Sequence, residues 1–197
     1  YNLSEDTIAI GIIGRIVSIK NHKLFLEVWK NVLPKTTKKI HAFVIGDGED
    51  RDLVIDYCRQ LNLGFNTGDN LESTNTLTFT SWIIDIDTAV AGLDIIALTS
   101  NNEGTPISLI EAQSAGKAIV STNVGGIQDI VIEGETALLS PKGDFESFSI
   151  NLLEIIENES LRKKMQLKSP VFANSKFGFM RMVEDHRSLY TELLSKQ

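Results

Sequence analysis

Two glutamates eight residues apart, Glu103 and Glu111, frame the segment EGTPISLIE, the most chemically suggestive stretch of the chain. Between them stand Gly104, Thr105 and Pro106. The apolar run 94–98 (DIIAL) just upstream reads as a buried strand, and the residues from Pro106 onward read as a helix. Thr105 suits the N-cap and Pro106 the first helical position, where a missing N–H costs nothing. The N–H groups of Gly104 and of the first helical turn then point outward unpaired. With the helix dipole they form an anion site. Gly104 also lets a ligand come close to the backbone. From Pro106 to Glu111 the helix rises roughly 7.5 Å at 1.5 Å per residue, about the reach from a nucleotide's phosphates to its ribose. An ionised carboxylate only accepts hydrogen bonds, and sugar hydroxyls donate them. One glutamate therefore suits a ribose and the other a group beyond the phosphates. The plain alternative is a helix with one acid before it and another in its second turn, which the dipole favours anyway.

A second constellation is the run Gly14-Arg15-Ile16-Val17-Ser18-Ile19-Lys20, directly after the first apolar run. Arginine grips phosphate with two parallel hydrogen bonds, and lysine adds a point charge. If both runs are parallel strands, the two segments lie at carboxyl ends, where such sheets hold ligands, and Arg15 and Lys20 converge on one anion. Taken alone, GRIVSIK is an ordinary solvated basic loop. Gly46-Asp47-Gly48 resembles a dinucleotide fingerprint only superficially, because position 51 is Arg; it reads as a tight turn. Gly116-Lys117-Ala118 lacks the hydroxyl residue and upstream glycine of a P-loop. Gly125-Gly126 reads as a strand-to-helix turn close to the ligand. His22, His41 and His186 fall on different elements without ligand spacing, so no metal site is expected; no cofactor is expected either.

The elements that must position these residues alternate along the chain. Runs 8–13 (IAIGII), 40–45 (IHAFVI), 77–80 (LTFT), 94–98, 118–121 (AIVS) and 136–139 (TALL) read as six strands. They are continuously apolar, as in strands buried on both faces. Leu24, Phe25, Val28, Trp29, Val32 and Leu33 recur at helical spacing, as do Leu53, Val54, Tyr57 and Leu61. Such alternation predicts an α/β fold with a doubly wound, Rossmann-like parallel sheet. Helices near 145–157, 160–168 and 177–194 form a helical tail, with Pro170 predicted to break it before the last. The stretch 62–76 (NLGFNTGDNLESTNT) reads as a polar surface loop.

At 197 residues and 42% hydrophobic, the chain has material for one ordinary core. A net charge of 19 − 26 = −7 argues against a phosphate-tracking surface, so nucleic acid is not an expected partner. Any anion must be held by a local cluster against the overall field. The lone cysteine, Cys58, excludes a disulfide framework and points to a cytosolic protein. No apolar run reaches the length of a membrane span. The chain opens at Tyr1 rather than an initiator Met, with a short polar lead into a strand, and is read as part of something longer.

EGTPISLIE resembles the E-x7-E motif of retaining glycosyltransferases with the two-domain GT-B fold, and the chain looks like family four of that group. GRIVSIKNH resembles the family's GR…K loop, FVIGDGED its second-strand turn, and TFTSWIIDI the segment beside the nucleotide base. AQSAGKAIVSTNVGGIQDIV continues the core motif, and FGFMRMVEDHRSLYTELL resembles the closing helix that crosses back towards the other domain. The resemblance covers nearly all 197 residues and implies a C-terminal, nucleotide-sugar-binding domain over 1–197, with the N-terminal acceptor domain outside the chain. It implies that Arg15 and Lys20 hold the diphosphate and that the amides of Gly104 and Thr105 assist. Glu111 would accept from the ribose, and Glu103 would face the donor sugar near its reacting carbon. Thr105 departs from the large apolar residue common there in the family.

The implied activity is retaining transfer from a nucleotide diphosphate sugar, UDP-linked in the first instance, to a bacterial glycan or a lipid-linked acceptor. A lipid-linked acceptor brings an expectation of peripheral membrane association for the full-length protein. The fragment alone is expected to bind donor and transfer nothing. Three alternatives stand beside this. A sugar-nucleotide epimerase of related architecture would use the same crevice without an acceptor, and the fragment by itself would be a nucleotide-binding module. An NAD-dependent oxidoreductase requires G-x-G-x-x-G after the first strand, which GIIGRI fails.

Overall fold

A computed structural model describes residues 1, 3–68, 72 and 74–196. In chain order the elements are β1 (Thr7–Ile13), α1 (His22–Val32), β2 (Lys39–Ile45), α2 (Arg51–Gln60), β3 (Asn66–Thr67), β4 (Leu77–Ser81), α3 (Ile86–Ala91) and β5 (Ile95–Leu98). There follow α4 (Ile107–Ser114), β6 (Ala118–Thr122), α5 (Ile127–Ile130), β7 (Ala137–Ser140), α6 (Phe145–Glu157), α7 (Glu159–Phe177) and α8 (Phe179–Ser195). The sheet runs β3-β4-β2-β1-β5-β6-β7, and every pairing between these strands is parallel. The expected doubly wound sheet is therefore present.

Side chains that alternate along the strands serve two cores. Ile8, Ile10, Ile12, Ala42, Val44, Ile95 and Ala97 pack beneath α1, α2 and α6, around the fully buried Phe25, Trp29 and Phe148. Ala9, Phe43, Ile45, Ile96 and Leu98 face the other way, onto Leu109 and Ala112 of α4 and Ile127 and Ile130 of α5. This two-sided burial explains the continuous apolar runs. Chain order reverses between β1 and its neighbour β5. The loops leaving these two strands, GRIVSIK and TSNNEGTP, thus share the crevice where such sheets bind ligands.

Among the described residues the sheet has seven strands rather than six. The extra strand, β3, lies inside the expected loop 62–76, part of which falls outside the described residues. It is only Asn66 and Thr67, paired with Thr78 and Phe79. Two polar residues carry no periodicity, so tertiary pairing alone makes them a strand. Pro170 does not break the tail: α7 runs through it from Glu159 to Phe177. Its missing N–H frees the carbonyl of Gln166, which faces Gly116 at the end of α4, where an added Cβ would lie 3.1 Å from that oxygen. Packing of α7 against α4 holds the helix together at that point. The break comes at Gly178, whose extended backbone separates α7 from α8. No residue of α8 is buried, and Phe179, Met182, Val183, Leu189, Tyr190 and Leu193 stand in solvent. Cys58 is a buried thiol that desolvation pushes up to about 11.

Candidate functional site

The crevice is built from two loops and the glycine turns that seat them. After β1, Gly14 takes a φ of 150° and donates its N–H to Ile45 O at 3.0 Å. A Cβ at Gly46 would lie 2.0 Å from Gly14 O, and one at Gly48 2.3 Å from Ile16 O. Ile16 N–H in turn reaches Asp47 O at 2.8 Å. The GDG turn, read from sequence simply as a tight turn, is thus the buttress of the basic loop. Asp47 also accepts from Ser81 Oγ at 2.7 Å and from Gly48 N–H, which hold its carboxyl below the ordinary range.

Beyond Gly14 the chain makes a short 3-10 turn, Ser18–Lys20, and passes through a left-handed Asn21 (φ 50°) into α1. This turn is fastened to the loop after β5. Asn101 N–H donates to Ile19 O at 2.7 Å, and Thr99 Oγ1 lies 3.0 Å from both Lys20 O and Asn21 O. Lys20 Nζ meets Glu103 Oε1 at 2.6 Å, and Ser100 Oγ donates to the same oxygen at 2.6 Å. The Lys20 and Glu103 side chains are only 23% and 10% exposed.

Behind Glu103 lies the Gly125-Gly126 turn. Added Cβ atoms would stand 1.8 Å from Glu103 O and 2.2 Å from Gly104 O, and Gly126 N–H donates to Glu103 O. Only glycine permits this approach, and Gly125 also has a φ of 53°. The turn therefore shapes the site through its backbone.

The helix after the loop starts one residue later than expected. Pro106 is the N-cap with an extended ψ of 105°, and Ile107 is the first helical residue; Thr105 is exposed and caps nothing. The Gly125-Gly126 seat dictates how the chain enters α4, so the capping preference of Thr105 is overruled. The anion-site geometry survives the shift. Among the described residues, the N–H groups of Gly104, Thr105, Ile107 and Ser108 find no acceptor.

Of the residues expected to act together, the structure joins Lys20 to Glu103 and places both beside the free amides. Gly14 borders Lys20, whose Cε would sit 3.8 Å from a Cβ there. Arg15 stays at the rim, paired with Glu49 at 3.1 Å, both side chains being well exposed (69% and 61%). Glu111 is exposed on α4 and touches none of the others. Sequence reasoning missed Ser100, Thr99 and Asn101. The segment TFTSWIIDI, likened from the sequence to the one beside the base, contributes Trp82, Ile84 and Ile86 to a cleft of about 330 Å³ that Gly14, Arg15 and Gly46 also line. Ser81 at a φ of 64° turns the chain there, leaving Trp82 and Ile84 exposed beside the basic loop. Among the described residues no group of three or more His, Cys, Asp or Glu side chains is placed to hold a metal ion.

Comparison with known proteins decides the family. The model of the family described as "Glycosyl transferases group 1" matches residues 1–172. The chain belongs to this family. The GT-B, family-four likeness carried by EGTPISLIE and GRIVSIK is thereby established for this group 1 chain. The chain is 26% identical over 196 residues to the capsular polysaccharide biosynthesis glycosyltransferase CapM of Staphylococcus aureus, covering 100% of itself and 49% of that protein. Its fold matches a crystal structure of the C-terminal domain of the group 1 glycosyl transferase LpcC of Francisella tularensis, with TM-score 0.74, 24% identity and 87% of each chain covered. It also matches Anabaena Alr3699/HepE in complex with UDP, with TM-score 0.78, 19% identity, and 98% and 50% covered. The group 1 chain spans about half the length of the curated relatives it matches. No described helix is long and apolar enough to cross a membrane.

Proposed function

We propose that this chain is the donor-binding, C-terminal half of a retaining glycosyltransferase that takes a UDP-sugar. The observation that carries the reading is the meeting, at the switch point of the sheet, of Lys20, Glu103 and the free amides of Gly104, Thr105, Ile107 and Ser108. Cations and amides aimed at one place suit a leaving diphosphate, whose charge grows as the glycosidic bond to it breaks. Lys20 binds it from within, Arg15 from the rim, and the start of α4 from the far side, with Gly104 and Pro106 shaping the backbone. Glu111, exposed on α4, accepts from the ribose hydroxyls. Glu103 accepts from the donor sugar near its reacting carbon.

The UDP choice is supported by the UDP bound in the similar Anabaena protein. The cleft beside Trp82 has room for the base, next to Gly14 and Arg15. The acceptor, a polysaccharide or lipid-linked glycan, would be held by an N-terminal domain, against which the apolar face of α8 would pack. A lipid-linked acceptor would bring that longer protein to a membrane surface.

Isothermal titration and a transfer assay test the proposal together. The 197-residue chain is expected to bind UDP and to transfer no sugar by itself. Robust transfer by this chain alone, or no UDP binding, refutes the reading. Glu111→Gln is expected to weaken UDP and UDP-sugar by similar factors, because the ribose is common to both.

A further inference from the structure

Ser100 lies at the start of the loop after β5 and is fully buried, and among the described residues its hydroxyl meets one partner, Glu103 Oε1 at 2.6 Å. That oxygen receives two donors of different kinds. The Lys20 ammonium arrives on a long, flexible stem from another loop. The Ser100 hydroxyl arrives on a short one whose backbone is fixed, its carbonyl accepting from Thr122 Oγ1 at 2.7 Å. Glu103 Oε2 takes no hydrogen bond from any described residue.

Without donor, Glu103 is the anion that Lys20 holds. A diphosphate arriving at the start of α4 competes for the same ammonium. When Lys20 turns to it, Glu103 is left ionised at a site where its side chain is 10% exposed. A carboxylate so enclosed with no remaining donor is costly. Among the described residues, the other side chain that donates to it is Ser100.

We infer that Ser100 is a positioning residue for donor binding: it holds Glu103 Oε1 while Lys20 passes from carboxylate to diphosphate. Oε2 is thereby kept turned towards the sugar. The inference rests on the donor-site reading above. It makes diphosphate capture and the release of Glu103 for the sugar one coupled step.

The test is a double-mutant cycle read by UDP titration, with melting temperatures as a control on folding. Glu103→Gln is expected to bind UDP about threefold to tenfold tighter, because Lys20 no longer has a charge to leave. Ser100→Ala is expected to bind UDP about threefold to tenfold weaker, and this loss should shrink to less than about twofold in the Glu103→Gln background. Should Ser100→Ala not fold, Ser100→Cys keeps the volume while donating weakly, with the same pattern expected. An equal loss in both backgrounds, or no loss in the wild-type background, overturns the inference while leaving the donor site standing. Failure of the unmutated chain to bind UDP removes the donor-site reading, and this inference with it.

Discussion

Lys20 and Arg15 stand five residues apart on one loop, and each holds a glutamate, yet the two ion pairs are built differently. Lys20 and Glu103 are enclosed and share the oxygen that Ser100 also reaches. Arg15 and Glu49 meet in solvent at the rim. An exposed pair is worth little, because water and salt screen it and two long side chains must be held still. An enclosed pair is costly to break on one side, since the remaining charge keeps its desolvation penalty. A cation paired with a glutamate therefore makes a core component of the site in one place and an adaptable edge in the other.

The largest expected effect comes from removing the enclosed cation. Lys20→Ala takes away a charge-assisted contact to diphosphate and leaves Glu103 close by as an unpaired anion. Such contacts contribute about 1.5–3 kcal/mol, so UDP affinity should fall about a hundredfold. The melting temperature should fall with it by several degrees, roughly 2–4 °C for each kcal/mol in a chain of this size. Arg15→Ala should weaken UDP only about tenfold, by an amount that shrinks at high salt, and leave melting unchanged. Titration and thermal melts of both variants would check this. Equal losses in the two, or a melting change confined to Arg15→Ala, would break the contrast.

How much of this was legible in the sequence depends on the kind of contact. Runs such as IAIGII, IHAFVI and DIIAL announce buried parallel strands, because periodicity and length are local properties. The crevice follows from strand order, and the acidic and basic candidates at its mouth were visible by type. The Lys20–Glu103 pair was not, because it joins residues 83 apart that only the β1–β5 pairing brings together. Ser100 did leave a local trace: it stands three residues before Glu103, the spacing at which a hydroxyl and a carboxylate meet at helix starts. The start of α4 and the continuity of α7 were misread for one reason. Thr105 and Pro170 were judged by their own preferences, while backbone packing on Gly125-Gly126 and on Gly116 set the outcome.

The enclosed side should also carry the pH dependence. His22 follows Lys20 by two residues, is 2% exposed, and neither ring nitrogen has a partner among the described residues. Burial first, and the Lys20 charge second, bring its pKa from the ordinary 6.5 down to about 4. The unfolded chain takes up this proton near 6.5, the folded protein only near 4. Stability from a neutral His22 is therefore complete above 6.5 and is lost as pH falls through that window. The loss approaches about 3 kcal/mol at its lower end. His22→Leu should flatten the fall in melting temperature between those two values. A decline as steep as that of the unmutated chain would show that another group drives the acid limb.

The smallest expected effect belongs to Glu49→Gln, and it probes the comparison from the carboxylate side. The substitution releases Arg15 just as Glu103→Gln releases Lys20, so equal pairs would give equal gains in UDP affinity. They should not. Arg15 at the rim is open to water even while paired, and the pair it gives up is worth roughly 0.2–1 kcal/mol at most. Some of that is returned as Arg15 is hydrated, so UDP should tighten by less than about twofold, with no measurable shift in melting. Raising the salt should erase even this difference, because both side chains lie where counter-ions reach them. Titrations of Glu49→Gln and Glu103→Gln at low and high salt separate the cases. A gain for Glu49→Gln as large as that for Glu103→Gln, persisting at high salt, would mean that Arg15 is as firmly held as Lys20 and that enclosure does not set the weight of these two pairs.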